Sequence, residues 1–117
     1  MNRERRFGMR IDLELPMHWY SVDAGSGAAS VHEGVCADLS AMGASFISAQ
    51  PPPVGETIVV QLQSHQPPLD VASPARVIRV TRAAGGYRCA VRFVPVNAVD
   101  RVELGKFVIA VVRERAA

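Results

Sequence analysis

Apolar side chains recur at every second position along most of this chain, with polar residues between them. The clearest run lies near the N-terminus, where the alternating apolar residues are Ile11, Leu13, Leu15, Met17 and Trp19. A period of two is typical of a β-strand with one buried face. Five further apolar segments follow: Val31, Val35, Ala37 and Leu39; 43–48; Ile58, Val60 and Leu62; 75–80; and Tyr87, Cys89, Val91 and Phe93. The pattern predicts six strands.

Turn-forming residues separate these segments. Glycines or prolines cluster at 23–27, 51–55, 65–68 and 84–86. Three successive prolines at 51–53 lack the N–H donors that a central strand needs, so the chain must turn there. Short strands joined by such turns are typical of antiparallel sheets.

The period changes after residue 96 and predicts a C-terminal helix. Asn97 is suited to the N-cap, Asp100 lies near the positive helix end, and Arg113 and Arg115 lie near the negative end. The apolar residues of this segment cover more than one narrow face: Val99, Val102, Leu104, Phe107, Val108, Ile109, Val111 and Val112. Gly105 costs about 1 kcal/mol relative to alanine in a helix. We therefore expect part of this helix to pack on a partner.

Six strands followed by one helix predict an all-β domain with one helix. The expected architecture is a six-stranded antiparallel β-barrel with the C-terminal α-helix across one opening. A chain of 117 residues is long enough for one hydrophobic core. We assign residues 1–10 to a flexible arginine-rich arm, 11–96 to the barrel and 97–117 to the helix of the same domain.

The composition and the length of the apolar runs are typical of a globular protein and not of a membrane-spanning one. Hydrophobic residues make up 49% of the chain and charged residues 21%, with a net charge of +2, which is ordinary globular usage. The longest strictly apolar run, Phe107 to Val112, is far shorter than a membrane span, and no apolar leader follows Met1. We expect a cytoplasmic protein without membrane insertion. Cys36 and Cys89 lack metal-ligand spacing and are expected to be buried free thiols.

Several kinds of chemistry find no support in the pattern. His18, His32 and His65 stand singly, without the spacing of zinc ligands, so no metal site is predicted. Ser40 has no histidine close in sequence, so no catalytic residue and no enzyme activity are predicted. Aromatic residues do not alternate with basic ones as in an oligonucleotide groove, so we expect no nucleic-acid partner.

The segment Arg5-Arg6-Phe7-Gly8-Met9-Arg10 is the first candidate binding motif. In an extended chain, Arg6 and Arg10 point to the same side about 13 Å apart. Guanidinium groups donate paired hydrogen bonds to phosphate oxygens or to the O6/N7 edge of guanine. The alternative is a solvated basic arm without a ligand.

The segment Asp38-Leu39-Ser40-Ala41-Met42-Gly43 is the second candidate, at the end of a strand. The Asp38 carboxylate suits donors such as guanine N1–H and N2–H, or can hold an arginine in place. Ser40 can either donate or accept, and Gly43 permits a positive φ or a close approach to a ligand. The alternative is a turn that closes a hairpin.

Taken together, Arg-x-x-x-Arg before the first strand and Asp-x-Ser-x-x-Gly at the end of the second resemble the signature of the PilZ domain family. The segments 75–79 and 91–93, and the helix after them, resemble later landmarks of that family. The resemblance implies a six-stranded β-barrel that binds the bacterial second messenger cyclic di-GMP and signals by moving its N-terminal arm. It implies that Arg6 and Arg10 grip guanine edges and phosphates, Asp38 and Ser40 contact a guanine, and Gly43 shapes the turn.

The resemblance carries two further expectations. Arg5 stands just before the first motif arginine, where an arginine in this family accompanies a stacked ligand dimer, so we expect two cyclic di-GMP molecules per domain. A downstream protein partner is expected, and a homodimer is an open alternative. The sequence departs from the family pattern in a long glycine-rich hairpin between Ser21 and Ser30 and in Met42, which occupies a position where glycine is frequent.

Two other functions remain open at this point. The chain could be a ligand-independent protein–protein interaction module of the same fold, because the last helix has broad apolar coverage. It could also bind single-stranded nucleic acid, which would make affinity steeply dependent on salt.

Overall fold

The protein forms a closed antiparallel β-barrel with one C-terminal helix, as predicted. The computed structural model describes residues 9–22, 27, 29–94 and 98–117. Its elements are β1 (Ile11–Val22), β2 (Ala29–Leu39), β3 (Gly43–Ser48), β4 (Thr57–Ser64), β5 (Leu69–Ala83), β6 (Gly86–Phe93) and α1 (Ala98–Ala116). The fold class and the six strands are confirmed. Arg5, Arg6 and the rest of the predicted arm up to residue 8, as well as Asn97, lie outside the described residues.

The barrel closes because β1 pairs with two strands. The order around the barrel is β1-β2-β3-β6-β5-β4, and Trp19 of β1 pairs with His32 of β2 and with Val60 of β4. A closed barrel satisfies the backbone groups that an open sheet would expose at its edges. The strand pairing therefore positions residues from distant parts of the chain around one ring.

Large apolar side chains fill the barrel interior. Trp19 and Phe46 are among the fully buried residues, and their rings lie 6.5 Å apart. The Trp19 indole also donates a 3.0 Å hydrogen bond from Nε1 to Ser48 Oγ and stacks on His32 at 4.0 Å. A buried indole N–H needs a hydrogen-bond acceptor, and Ser48 provides one, so a tryptophan can occupy this central position without an unsatisfied donor.

Strand β2 departs from the alternation expected from its sequence. Cys36 pairs with Phe46 and Asp38 with Ser45, so Ala37 is an extra residue in a β-bulge. The bulge reverses the alternation of inward and outward side chains. Leu39 is buried as expected, but Val31 is 58% exposed and Val35 42% exposed. The predicted inward position of those two valines is therefore wrong.

Helix α1 packs against β5 and β1. Its buried residues are Leu104, Phe107, Val108 and Val111. Near its C-terminus, Arg115 donates a hydrogen bond to the backbone oxygen of Asp12, which ties the helix to the start of β1. No helix in the described part of the chain is long and apolar enough to cross a membrane.

Both cysteines are free and fully buried, which confirms the expectation from sequence. Burial, with a smaller contribution from the charge of Asp38, raises the pKa of the Cys36 thiol to about 12. The hydrogen bond from Cys36 Sγ to the Asp38 backbone oxygen, 3.2 Å long, acts in the opposite direction. Burial raises the pKa of Cys89 to about 11. Both thiols are therefore protonated in the folded protein at neutral pH.

We predict that neither thiol reacts with a thiol-specific reagent at pH 8 in the native protein, and that both react once urea unfolds the chain. Unfolded thiols ionise near pH 9.0, so the folded state binds more protons above that pH. The stability that the neutral thiols contribute is present below pH 9.0 and is lost as pH rises toward the folded values.

Urea unfolding at several alkaline pH values measures this loss. The Cys36→Ala variant should lose stability less steeply with pH than the parent protein, although its stability at pH 7 is lower. Identical slopes, or rapid modification of the native protein, would contradict the assignment.

Candidate ligand-binding site

The side chain of Asp38 lies at the centre of a cluster of charged residues at one end of the barrel. Its carboxylate is only 8% exposed. Arg10 Nη1 donates to Asp38 Oδ1 at 3.2 Å, and Arg88 Nη2 donates to Asp38 Oδ2 at 2.8 Å. Each carboxylate oxygen thus accepts a hydrogen bond from one guanidinium group. These two charge-assisted bonds offset the free-energy cost of removing the carboxylate from water.

Strand register brings these three residues together. Ile11 pairs with Leu39, so Arg10, which directly precedes β1, stands beside the end of β2. On the other side, Asp38 pairs with Ser45 of β3, and Arg88 lies on β6, the next strand in the barrel. The cluster therefore connects four consecutive strands of the ring.

Arg88 is a site residue that sequence analysis did not single out. It stands 50 positions after Asp38 in the chain, and no local motif surrounds it. The signal that could have found it is the pairing of β3 with β6, which places Ile47 opposite Arg88. That register is a pairing between strands far apart in the sequence and not a local pattern.

The Ser40 hydroxyl shapes the turn between β2 and β3. Its Oγ accepts hydrogen bonds from the amides of Met42 at 3.1 Å and Gly43 at 3.2 Å, while the Ser40 amide donates to Gly43 O at 2.9 Å. Ser40 is only 1% exposed. These contacts correspond to the turn-closing interpretation of the motif, and direct contact between Ser40 and a ligand stays a prediction.

Gly43 permits a close approach of β3 to β6. Its φ is not among the positive values found at Gly27, Gly55, Gly85 and Gly86, so backbone conformation does not demand glycine there. A Cβ at this position would meet the backbone oxygen of Val91 at 2.3 Å. The motif glycine is therefore explained by close packing of two backbones.

A surface depression of about 250 Å³ adjoins the cluster. The side chains that line it combine charge with exposed apolar surface: Arg10, Met42, Ile78, Arg79 and Arg92. Ile78 is the extra residue in a second β-bulge, because Val77 pairs with Val91 and Arg79 with Ala90, and it is 51% exposed.

This mixture suits an anionic ligand that also has flat ring surfaces. Arg79 and Arg92 form no hydrogen bond or ion pair with the described part of the chain, so their guanidinium groups are available to phosphate oxygens. Met42 and Ile78 offer apolar contact beside them. Of the predicted site residues, Arg10, Asp38, Ser40 and Gly43 lie together at this end of the barrel. Arg5 and Arg6 fall outside the described residues.

Comparisons with known proteins agree with this fold. The family model of the PilZ domain matches residues 3–110. The solved structure of YcgR from Escherichia coli in complex with c-di-GMP has a TM-score of 0.70 at 20% identity, covering 92% of this chain and 46% of that one. The comparison with curated protein sequences finds no match.

Two further solved structures are similar. The PilZ domain of Escherichia coli YcgR with c-di-GMP has a TM-score of 0.69 at 19% identity and is covered over 91% of its length by 92% of this chain. The motility inhibitor MotI/DgrA of Bacillus subtilis has a TM-score of 0.69 at 16% identity, covering 92% of this chain and 51% of that one. The chain thus spans about half the length of the first YcgR chain and of MotI/DgrA.

Two glycine substitutions test the packing at the site. Gly43→Ala should lower the free energy of unfolding by about 1–3 kcal/mol, because the new methyl group forces β3 and β6 apart. Gly105→Ala is the matched control, since a Cβ there meets nothing within 4 Å, and it should raise stability by up to about 1 kcal/mol. Urea unfolding followed by circular dichroism measures both. Equal effects of the two substitutions would show that close packing does not explain Gly43.

Proposed function

The chain belongs to the PilZ domain family, and from this membership we propose that it is a non-enzymatic receptor domain for cyclic di-GMP. The observation that carries the proposal is the Asp38 carboxylate, held by Arg10 and Arg88 at the edge of an arginine-lined depression. The structure of YcgR with c-di-GMP supports the ligand class, because the two chains share the fold.

The chemistry of the ligand matches the chemistry of the site. Cyclic di-GMP carries two guanine bases and two phosphodiesters, so it presents both flat rings and negative charge. The guanine N1–H and N2–H groups need an acceptor such as the Asp38 carboxylate, whereas the O6/N7 edge accepts from arginine. Arg79 and Arg92, which line the depression, would meet the phosphates, and Met42 and Ile78 would contact a ring.

Arg10 is the member of the cluster best suited to move. Its side chain is 54% exposed, and its bond to Asp38 is the longer of the two. When Arg10 turns toward a ligand, Asp38 keeps Arg88 as a partner, so the buried carboxylate is not left unpaired. Arg88 therefore acts as a positioning residue for Asp38, while Arg10 and Asp38 bind the ligand directly.

Ordering of the N-terminal arm follows from the position of Arg10 in the chain. Arg6 stands four residues before Arg10 in the sequence, so a ligand that engages both arginines would draw residues 5–10 against the barrel. The ligand favours this state only to the extent that it makes better contacts there than in the unbound arrangement. A partner protein would then recognise the ordered surface.

Isothermal titration calorimetry with cyclic di-GMP tests the receptor assignment. We expect saturable binding to the parent protein, and no binding of GTP or cyclic di-AMP at the same concentrations. Arg10→Ala and Asp38→Ala should each weaken binding at least about tenfold, since hydrogen bonds to charged groups are worth about 1.5–3 kcal/mol. Arg88→Ala should weaken binding less, and Arg88→Lys should restore part of the loss.

Arg82→Ala provides the matched control for these substitutions. Like Arg88→Ala, it removes one positive charge from the hairpin of β5 and β6, but the Arg82 guanidinium lies over the Tyr87 ring, 5.8 Å from its centroid, and does not contact Asp38. Its affinity should equal that of the parent. Unchanged affinity in both Arg10→Ala and Asp38→Ala would refute the proposed site, and no heat with any variant would refute the ligand.

The binding ratio tests the role proposed for Arg5. A stacked ligand dimer requires a ratio near two cyclic di-GMP molecules per chain, and Arg5→Ala should reduce that ratio to one while leaving one molecule bound. A parent ratio of one would exclude the dimer but leave the receptor assignment intact.

The alternative is a protein–protein interaction module that needs no ligand. The exposed apolar side chains of α1, among them Val102 and Ile109, are the observation that favours it. Calorimetry separates the two functions, because an interaction module of this kind predicts no heat with cyclic di-GMP.

A further inference from the structure

Helix α1 carries a second apolar row on the side that faces away from the barrel. We call this row the outer stripe, and its members are Ala98, Val102, Gly105, Ile109, Val112 and Ala116. The steps between them alternate between four and three residues, which is the heptad spacing of a helix that packs against another helix. The residues that α1 buries against the barrel belong to a separate set.

The outer stripe is exposed to solvent except at Gly105, which is partly buried. Val102 is 50% exposed, Ile109 43% and Val112 38%. Gly105, in the middle of the row, would place a Cβ within 4 Å of nothing. Its small size therefore serves no packing contact inside the domain, although it would let the backbone of a second helix approach closely.

The charged residues directly beside the stripe are basic. At about 3.6 residues per turn, Arg101 lies along one side of the stripe, and Lys106 and Arg113 lie along the other. All three are exposed. Glu114 projects from a face away from the stripe. Glu103 lies beyond Lys106, whose Nζ is 3.8 Å from Glu103 Oε1, so this exposed pair reduces the positive charge at Lys106 but leaves Arg101 and Arg113 as the unopposed flanking charges. An apolar seam flanked by basic residues on both sides is complementary to a seam flanked by acidic residues.

We propose that the outer stripe is the docking surface for an amphipathic helix of a partner protein, with apolar residues at heptad spacing and glutamate or aspartate beside them. A second copy of this chain is a poor occupant. In either relative orientation it would bring Arg101, Lys106 and Arg113 against the same basic residues, and such like-charge contacts oppose association. The proposal does not depend on cyclic di-GMP, so its failure and that of the receptor assignment are separable.

A pair of designed peptides tests whether the apolar outer stripe and the basic residues beside it together bind an acidic amphipathic helix. The probe is a fluorescent three-heptad peptide with leucine at the a and d positions and glutamate at e and g. Its control has lysine at e and g and is otherwise identical. Fluorescence polarisation with the full chain should show saturable binding of the acidic peptide at least tenfold tighter than that of the basic one, and the difference should shrink as salt is raised.

Substitutions on the protein locate the binding surface. Ile109→Glu should weaken binding of the acidic peptide at least tenfold, whereas Val54→Glu, which places the same charge at a 61% exposed valine outside the helix, should leave it unchanged. The combined change Arg101→Glu, Lys106→Glu and Arg113→Glu should reverse the preference toward the basic peptide. Circular dichroism of each variant checks that the fold is retained.

Three outcomes would overturn the proposal. The first is equal or absent binding of the two peptides, and the second is equal binding of the acidic peptide to the parent and to Ile109→Glu. The third is a concentration-dependent dimer in sedimentation equilibrium that Ile109→Glu abolishes, because that result would identify a second copy as the occupant. Cyclic di-GMP titration of the same variants keeps this test independent of the ligand site.

Discussion

The nearly buried charge of Asp38 is the constraint on which this end of the barrel depends. A carboxylate that water reaches poorly must be paired, and unpairing it costs far more than an exposed ion pair would contribute. The structure meets this requirement with two arginines from strands far apart in the chain, Arg10 before β1 and Arg88 on β6. The two arginines are about half exposed, so they lose little hydration in this pairing. Under the proposed function, this asymmetry would let Arg10 exchange Asp38 for a ligand.

Two β-bulges allow these charged residues to lie next to the apolar interior of the barrel. The extra residue Ala37 changes the alternation of β2 so that Cys36 and Leu39 both point inward. Asp38, which stands between these two residues in the sequence, contacts Arg10 and Arg88. The extra residue Ile78 does the same on β5 and turns both Ile78 and Arg79 toward the depression. Bulges near binding sites commonly redirect a side chain in this way. Here they separate the residues that build the core from those that line the site.

Local sequence patterns predicted the strands because both the alternation of apolar residues and the turn-forming residues involve close neighbours in the chain. The period of two and the glycine and proline clusters predicted the six strands, and the change of period after residue 96 predicted the helix. Their spacing marked Asp38 and Ser40 as candidate site residues. The inward position of Val31 and Val35 was predicted wrongly because a single inserted residue reverses a strand's faces without changing its composition. Arg88 was missed because its relation to Asp38 arises through the pairing of β3 with β6, two strands that are far apart in the sequence. The reason for glycine at position 43 likewise could not be predicted without knowing that β6 packs against it.

Strand β1 connects the proposed ligand site with helix α1. Its first residue, Ile11, pairs with Leu39 beside Asp38, and Arg10 directly before it contacts Asp38 itself. One residue further on, the backbone oxygen of Asp12 accepts the hydrogen bond from Arg115 at the end of α1. A ligand that moves Arg10 therefore acts on the backbone that anchors the helix. Any coupling between ligand and partner would be reciprocal, since each can shift the other only by the difference in its own contacts between the two arrangements of this strand.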